Sequence, residues 1–140
     1  MFKSLFISIV IVFTLIGCAS SGRVYDYTDG NGPRFISENL TRSTVTTQDQ
    51  LHVVTYNIKF SEEIDQALAL IQSQEKLREA DIIFLQEMNH QSVIQIADAL
   101  DLNYIYYPTS KHPYHEQDFG NAILSKWKFT DDEKIIFGPS

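Results

Sequence analysis

Apolar and polar positions along this chain follow two different rhythms. Residues 51–57 (LHVVTYN) and 81–87 (DIIFLQE) are short, nearly unbroken apolar and β-branched runs bounded by polar segments, the pattern of strands buried on both faces. Between them Ile64, Ala67, Leu68, Ile71 and Leu77 recur at helical spacing. They predict one helix to about Ala80, with Ser61 as its N-cap and Glu62 and Glu63 in a first turn whose dipole favours negative charge. A second helix is expected from an Asn89 cap to about Leu100, with Val93, Ile96 and Ala97 inward and His90 exposed at its start. Residues 103–107 (NYIYY) read as a strand ended by Pro108, residues 120–125 (GNAILS) as another, and residues 133–137 (EKIIF) as a last one. The fold class is therefore α/β. Strand, helix and strand over 51–87 form one βαβ unit that brings Asn57 and Glu87 out at the same C-terminal edge of a parallel pair. That edge is where open α/β sheets place their ligands.

The first eighteen residues, MFKSLFISIVIVFTLIGC, follow another logic. Lys3 precedes an apolar run of about a dozen residues, short for a bilayer span and suited to a signal-peptide core. Leu15-Ile16-Gly17-Cys18 resembles the bacterial lipobox, which implies a signal peptide over 1–17, cleavage before Cys18 and acylation of that residue. Ala19 in the next position implies sorting to the outer membrane. The plainer reading is an ordinary signal peptide or uncleaved anchor with an incidental cysteine. From residue 18 to 50 the composition shifts to Ser, Gly, Thr, Asn and Asp, with turn signals at Asp29-Gly30 and Asn31-Gly32-Pro33. This stretch is expected to be a tether, with a short edge strand at Phe35-Ile36 or over 41–47. Several acyl chains on Cys18, at about 0.8 kcal/mol per buried methylene, would hold the protein on a bacterial envelope membrane.

Composition narrows the partners. The chain has 140 residues, room for one modest domain over 51–140, and a formal charge of −7 that becomes −8 without the leader's lysine. An acidic chain with no basic run is poorly suited to nonspecific duplex binding, which draws its affinity from Lys and Arg. Cys18 is the only cysteine, so a disulfide framework is excluded. No protein partner can be inferred.

The chemistry collects at the strand ends. A carboxylate at Glu87 beside the amide oxygen of Asn57, with no thiol and no obligatory imidazole, suits a hard divalent cation, Mg2+ or Mn2+, better than zinc. A glutamate directly after an apolar run is costly to bury unpartnered; the bland alternative is a solvated Glu at the water edge. Residues 109–119 (TSKHPYHEQDF) form the most loaded loop, with Lys111, His112, His115, Glu116 and Asp118 close together. Pro113 breaks any helix that would put both imidazoles on one face, which disfavours zinc. Lys111, His112 and His115 are better read as phosphate contacts, and Asn121 as a residue that orients loop or phosphate.

TYNI at the end of the first strand, LQEM at the end of the second and GNAILS after the loop, in that order, resemble the N-terminal half of the endonuclease/exonuclease/phosphatase superfamily. The resemblance implies half of a two-sheet α/β sandwich flanked by helices, and a metal-dependent phosphoester hydrolase. It places the divalent ion on Asn57 and Glu87 and a nucleic acid, lipid or small-molecule phosphoester as substrate. The superfamily's later Asp-x-Asn and Ser-Asp-His motifs, the second of which carries the general acid/base, do not occur in these 140 residues. The sequence is accordingly expected to be truncated, a fragment or a remnant. The rival expectation is a non-catalytic surface lipoprotein or binding module.

Overall fold

The structure is a computed structural model that describes residues 25–37, 49–114 and 116–136. Its centre is a five-stranded mixed sheet in the order β1-β4-β5-β3-β2. The strands are β1 (Phe35–Ile36), β2 (Val53–Asn57), β3 (Ile82–Met88), β4 (Asn103–Lys111) and β5 (Asp118–Ser125). Only β2 and β3 run parallel, with Val53 opposite Ile82 and Asn57 opposite Gln86; the remaining pairs are antiparallel.

The βαβ unit forms as its pattern predicts, with a different middle. A 3-10 turn at Lys59–Ser61 precedes α1 (Ile64–Ser73), and one extended residue, Gln74, separates α1 from α2 (Glu75–Arg78). The single helix expected to Ala80 is thus two, because the Gln74 carbonyl accepts from Leu77 and Arg78 N–H and starts a fresh turn. Ser61 does not cap α1. Its hydroxyl accepts the Asn89 N–H at 3.2 Å and lies 3.7 Å from the Met88 sulfur, tying the β2–α1 connection to the end of β3. The helix α3 (His90–Ala99) starts as expected, Asn89 Oδ1 accepting from Ser92 N at 2.8 Å.

Alternation along the strands sorts side chains onto two faces. Ile83, Leu85, Tyr106, Ala122 and Leu124 point to the helices, where they bury with Ala67, Ile71, Val93, Ile96 and Ala97 as one core. Thr55, Phe84 and Ile123 lie on the opposite face, which is partly covered by residues 133–136. Those four residues carry no strand, contrary to the expectation of a last one. Side-chain bonds hold this part of the chain: Arg34 to Asp132 at 2.9 Å, Tyr107 hydroxyl to the same Asp132 oxygen, and Lys134 Nζ to the Tyr27 carbonyl at 2.7 Å.

Two further expectations are corrected. Strand β4 runs through Pro108 to Lys111, because the proline falls where the β4–β5 register shifts between Pro108 and Ser110 and a missing N–H costs no regular ladder bond. His90 is half-buried rather than exposed: its ring lies parallel to Tyr106 at 5.4 Å, packs on Phe35 at 4.2 Å, and its Nε2 is 3.1 Å from the Tyr104 hydroxyl. Phe35 belongs to β1, the short edge strand expected at Phe35-Ile36, which pairs with β4 through Phe35 opposite Tyr106. Cys18, the apolar leader, residues 41–47 and Phe137 lie outside the described residues. Among those described, no helix is long and apolar enough to cross a membrane.

Candidate functional site

Residues at the C-terminal edge of β2 and β3 adopt unusual backbone conformations. Strict alternation would send Glu87 to the face opposite Asn57, since Asn57 pairs with Gln86. The β3–β5 ladder breaks there: Leu85 pairs with Ala122 and Met88 with Gly120, so two residues, Gln86 and Glu87, face the single Asn121. Glu87 absorbs this bulge in the left-handed region, with φ of 57°. The turn brings its carboxylate to Asn57, whose Nδ2 donates to Glu87 Oε1 at 2.8 Å. The Asn57 amide is oriented from its other side by Lys59, whose N–H donates to Oδ1 at 2.9 Å.

Lys59 and Ser61 also have positive φ, 36° and 58°. Three non-glycine residues with positive φ therefore converge on one sheet edge. Such conformations cost on the order of 1–3 kcal/mol each and persist where the surroundings enforce them, commonly at functional sites.

Asn57 and Glu87 are thus brought together, as the sequence predicted. Their donors are hard oxygens, and among the described residues no group of three or more His, Cys, Asp or Glu could hold a metal. That set does not suit zinc, which takes three or four N/S-rich ligands. It fits Mg2+, which keeps several waters and takes one or two protein oxygens. In the present arrangement the amide nitrogen of Asn57, rather than its oxygen, faces the carboxylate.

Asn121 lies on the same edge, exposed, opposite the bulge and across from Tyr107 of β4. Both ends of the loaded loop are strand: β4 and β5 make a hairpin in which Lys111 pairs with Asp118, beyond the end of the β3 ladder. His112 is buried in its turn. Its N–H donates to the Gln117 carbonyl at 2.7 Å, its Nδ1 accepts from Tyr114 N at 3.2 Å, and its ring meets Phe119. The imidazole is used within the hairpin and does not face the Asn57–Glu87 pair through any of these contacts. His115 lies outside the described residues. Lys111 is exposed.

Gly120 makes this edge possible. A Cβ there would sit 2.0 Å from the Tyr107 carbonyl oxygen and 2.7 Å from Pro108 Cα, so β4 and β5 approach at a distance only glycine allows.

Sequence reasoning missed three residues that hold the edge in place. Ser61 joins the two strand-to-helix connections. Tyr106, wholly buried, sends its hydroxyl to the Met88 carbonyl at 3.0 Å and the Asp118 carbonyl at 3.2 Å. Tyr27 donates to the Asp118 carboxylate; burial, with that carboxylate beside it, pushes its own ionisation up to about 12, so it remains a donor at any physiological pH. A tyrosine-rich strand signals packing, and nothing in its spacing says which hydroxyl crosses to a neighbouring strand.

Beside Asn121 and Gln86, a cavity of about 710 Å³ lies between the open sheet face and residues 133–136, its walls including Phe84, Ile123 and Ile135. The sequence model of the Endonuclease/Exonuclease/phosphatase family matches residues 54–140. No solved structure matches the chain.

Proposed function

The chain belongs to the endonuclease/exonuclease/phosphatase family, and on that footing we propose that it is a metal-dependent phosphoester hydrolase, with Asn57 and Glu87 as the protein ligands of a Mg2+ or Mn2+ ion. The contact that carries this reading is the 2.8 Å approach of the Asn57 amide to the Glu87 carboxylate, made by a bulge that a simple strand end would not need.

A divalent ion bound there would act as a Lewis acid on a phosphoryl oxygen. The protein's part is orientation. Glu87 supplies the negative charge, and its left-handed backbone aims it. Lys59 N–H holds Asn57 Oδ1, and the amide would turn its oxygen toward the carboxylate to join Glu87 on the ion. Asn121, exposed opposite the bulge, offers an amide to substrate oxygens. Lys111, on the hairpin beyond the edge, and His115 are the phosphate contacts we propose, while the His112 N–H and Nδ1 close the hairpin turn.

We further propose that acylated Cys18 anchors the protein to a bacterial envelope, at the outer membrane, with residues that follow it leading to the sheet. Acidity and a lipid anchor together favour a small or lipid phosphoester, or extracellular nucleic acid, over chromosomal DNA.

The test is hydrolysis of bis(p-nitrophenyl) phosphate by the full chain with and without Mg2+. Turnover that needs the ion and is abolished by Glu87→Ala supports the reading. Equal rates in Glu87→Ala protein overturn the metal assignment, and no turnover at all favours a non-catalytic surface lipoprotein. For the anchor, Cys18→Ala protein should take up no fatty-acid label in cells; uptake equal to wild type removes it.

A further inference from the structure

We propose that Tyr106 is a positioning residue for the Glu87 site and that Tyr27, through Asp118, extends this support from the N-terminal segment. The inference rests on the functional reading above and deepens it.

The bulge leaves Gln86 and Glu87 without regular ladder partners on β5, and a left-handed residue gains nothing from strand geometry. On the β2 side Gln86 still pairs with Asn57 and accepts from Ile58 N–H at 3.3 Å, and the β5 ladder resumes at Met88, where a side chain adds a further hold on the backbone that aims the carboxylate. The Met88 carbonyl, one residue on, receives the Tyr106 hydroxyl at 3.0 Å. That hydroxyl comes from β4, two strands away in the sheet, and β5 lies between. It also meets the Asp118 carbonyl, at 3.2 Å, at the first residue of β5. One buried O–H therefore spans the end of three strands at the level of the bulge.

Its ring is locked. Tyr106 is 0% exposed, stacked on His90 and in tilted contact with Phe35 at 6.0 Å. A phenylalanine would fill that space equally well, so the packing does not require the hydroxyl; the two carbonyls do. Asp118 then passes the support outward, its carboxylate accepting from Tyr27. Residue 27 reaches the carboxylate-bearing edge by the sequence Tyr27, Asp118, Tyr106, Met88, Glu87. The amide oxygen of Asn57 and the carboxylate of Glu87 can share an ion only while β3 keeps its register against β5, and that register is what these bonds pin.

A merely structural role predicts lost stability and unchanged ion affinity; a positioning role predicts the reverse emphasis. The full chain is titrated with Mn2+ and free ion is followed by its electron paramagnetic resonance signal. Wild type should bind in a manner lost in Glu87→Gln. Tyr106→Phe should raise the Kd about tenfold, the lower end for loss of an outer support of a metal ligand, and Tyr27→Phe should raise it by less. Asp81→Asn, at the opposite end of the sheet, serves as a destabilised control whose Kd should stay at the wild-type value. Wild-type Kd in both tyrosine variants, or an equal rise in the Asp81→Asn control, overturns the positioning role while leaving the metal site standing. Should Tyr106→Phe not fold, Tyr27→Phe alone decides. Wild-type protein with no Glu87-dependent binding overturns the functional reading and this inference with it.

Discussion

Asp81 and Lys126 close the end of the β3–β5 pair remote from Glu87, Lys126 Nζ lying 2.8 Å from Asp81 Oδ1 while Asp81 Oδ2 accepts the His52 N–H at 2.8 Å. The carboxylate is 1% exposed, so both oxygens are spent on partners. Removing it leaves a partly buried ammonium and an orphaned N–H. Asp81→Ala should therefore cost roughly 3–5 kcal/mol in urea unfolding, and Asp81→Asn less, since an acceptor remains.

The same group gives an acid limit. Burial by itself would raise the Asp81 pKa, but the His52 N–H and the Lys126 ammonium outweigh it, and the net position is below the ordinary 3.8. A depressed carboxylate contributes stability above its unfolded pKa and loses it as pH falls through the folded one. Urea midpoints should hold from neutrality to about pH 5 on this account and fall below about pH 4, and Asp81→Asn should flatten that acid limb.

His90 adds a second acid-side limb at higher pH. Burial between Phe35 and Tyr106 lowers its pKa from 6.5, so the fold favours the neutral ring. Its contribution is full above the unfolded value and is lost as pH falls below about 6.5 toward the folded one. Wild type should lose stability over that window and His90→Phe should lose less; equal slopes would remove His90 as the cause.

Glu87→Gly separates fold from site. Glycine takes the left-handed conformation freely, gaining about 1–2 kcal/mol in the folded state and giving back about 0.5–1 through unfolded-state entropy. The variant should melt at or above the wild-type temperature and bind no Mn2+.

Gly120→Ala does the reverse. With the new Cβ 2.0 Å from a backbone oxygen, β4 and β5 must part. The loss should be about 3 kcal/mol or more, at the upper end for overpacking, seen as a lowered denaturation midpoint.

What the sequence disclosed and what it withheld divide along physical lines. Strands β2 and β3 and the helix α3 were legible because an apolar run and an Asn cap are local signals, but the expectation of burial on both faces is corrected: β2 is an edge strand with no residue buried, and Phe84 of β3 is exposed on the open face. That Asn57 and Glu87 share one edge was legible because right-handed βαβ topology leaves little choice; that their side chains meet there depends on the bulge. The bulge was not, since an extra residue in β3 shows only against β5, more than thirty positions later. His90 looked exposed because Phe35, which covers it, arrives from another segment. Pro108 seemed to end a strand because its missing N–H matters only if the ladder is regular there. The hairpin within the loaded loop was not legible either, since its pairing appears only once β4 and β5 are aligned, and with it the bond from Tyr114 N to His112 Nδ1.

The strand order carries a lesson about how such a chain comes into being. β5 is made after β3 and β4 and lies between them. As the chain emerges from its N-terminus, β2 and β3 can pair around their helices at once, but β4 has no place beside β3 and waits with β1. This sheet therefore closes only when residues 118–125 fold back on β4 as a hairpin and the hairpin docks on β3. Contacts so distant in sequence form slowly, and until then two open edges invite pairing with other chains. A pause, or a holding chaperone, before β5 appears would bear directly on whether this sheet closes.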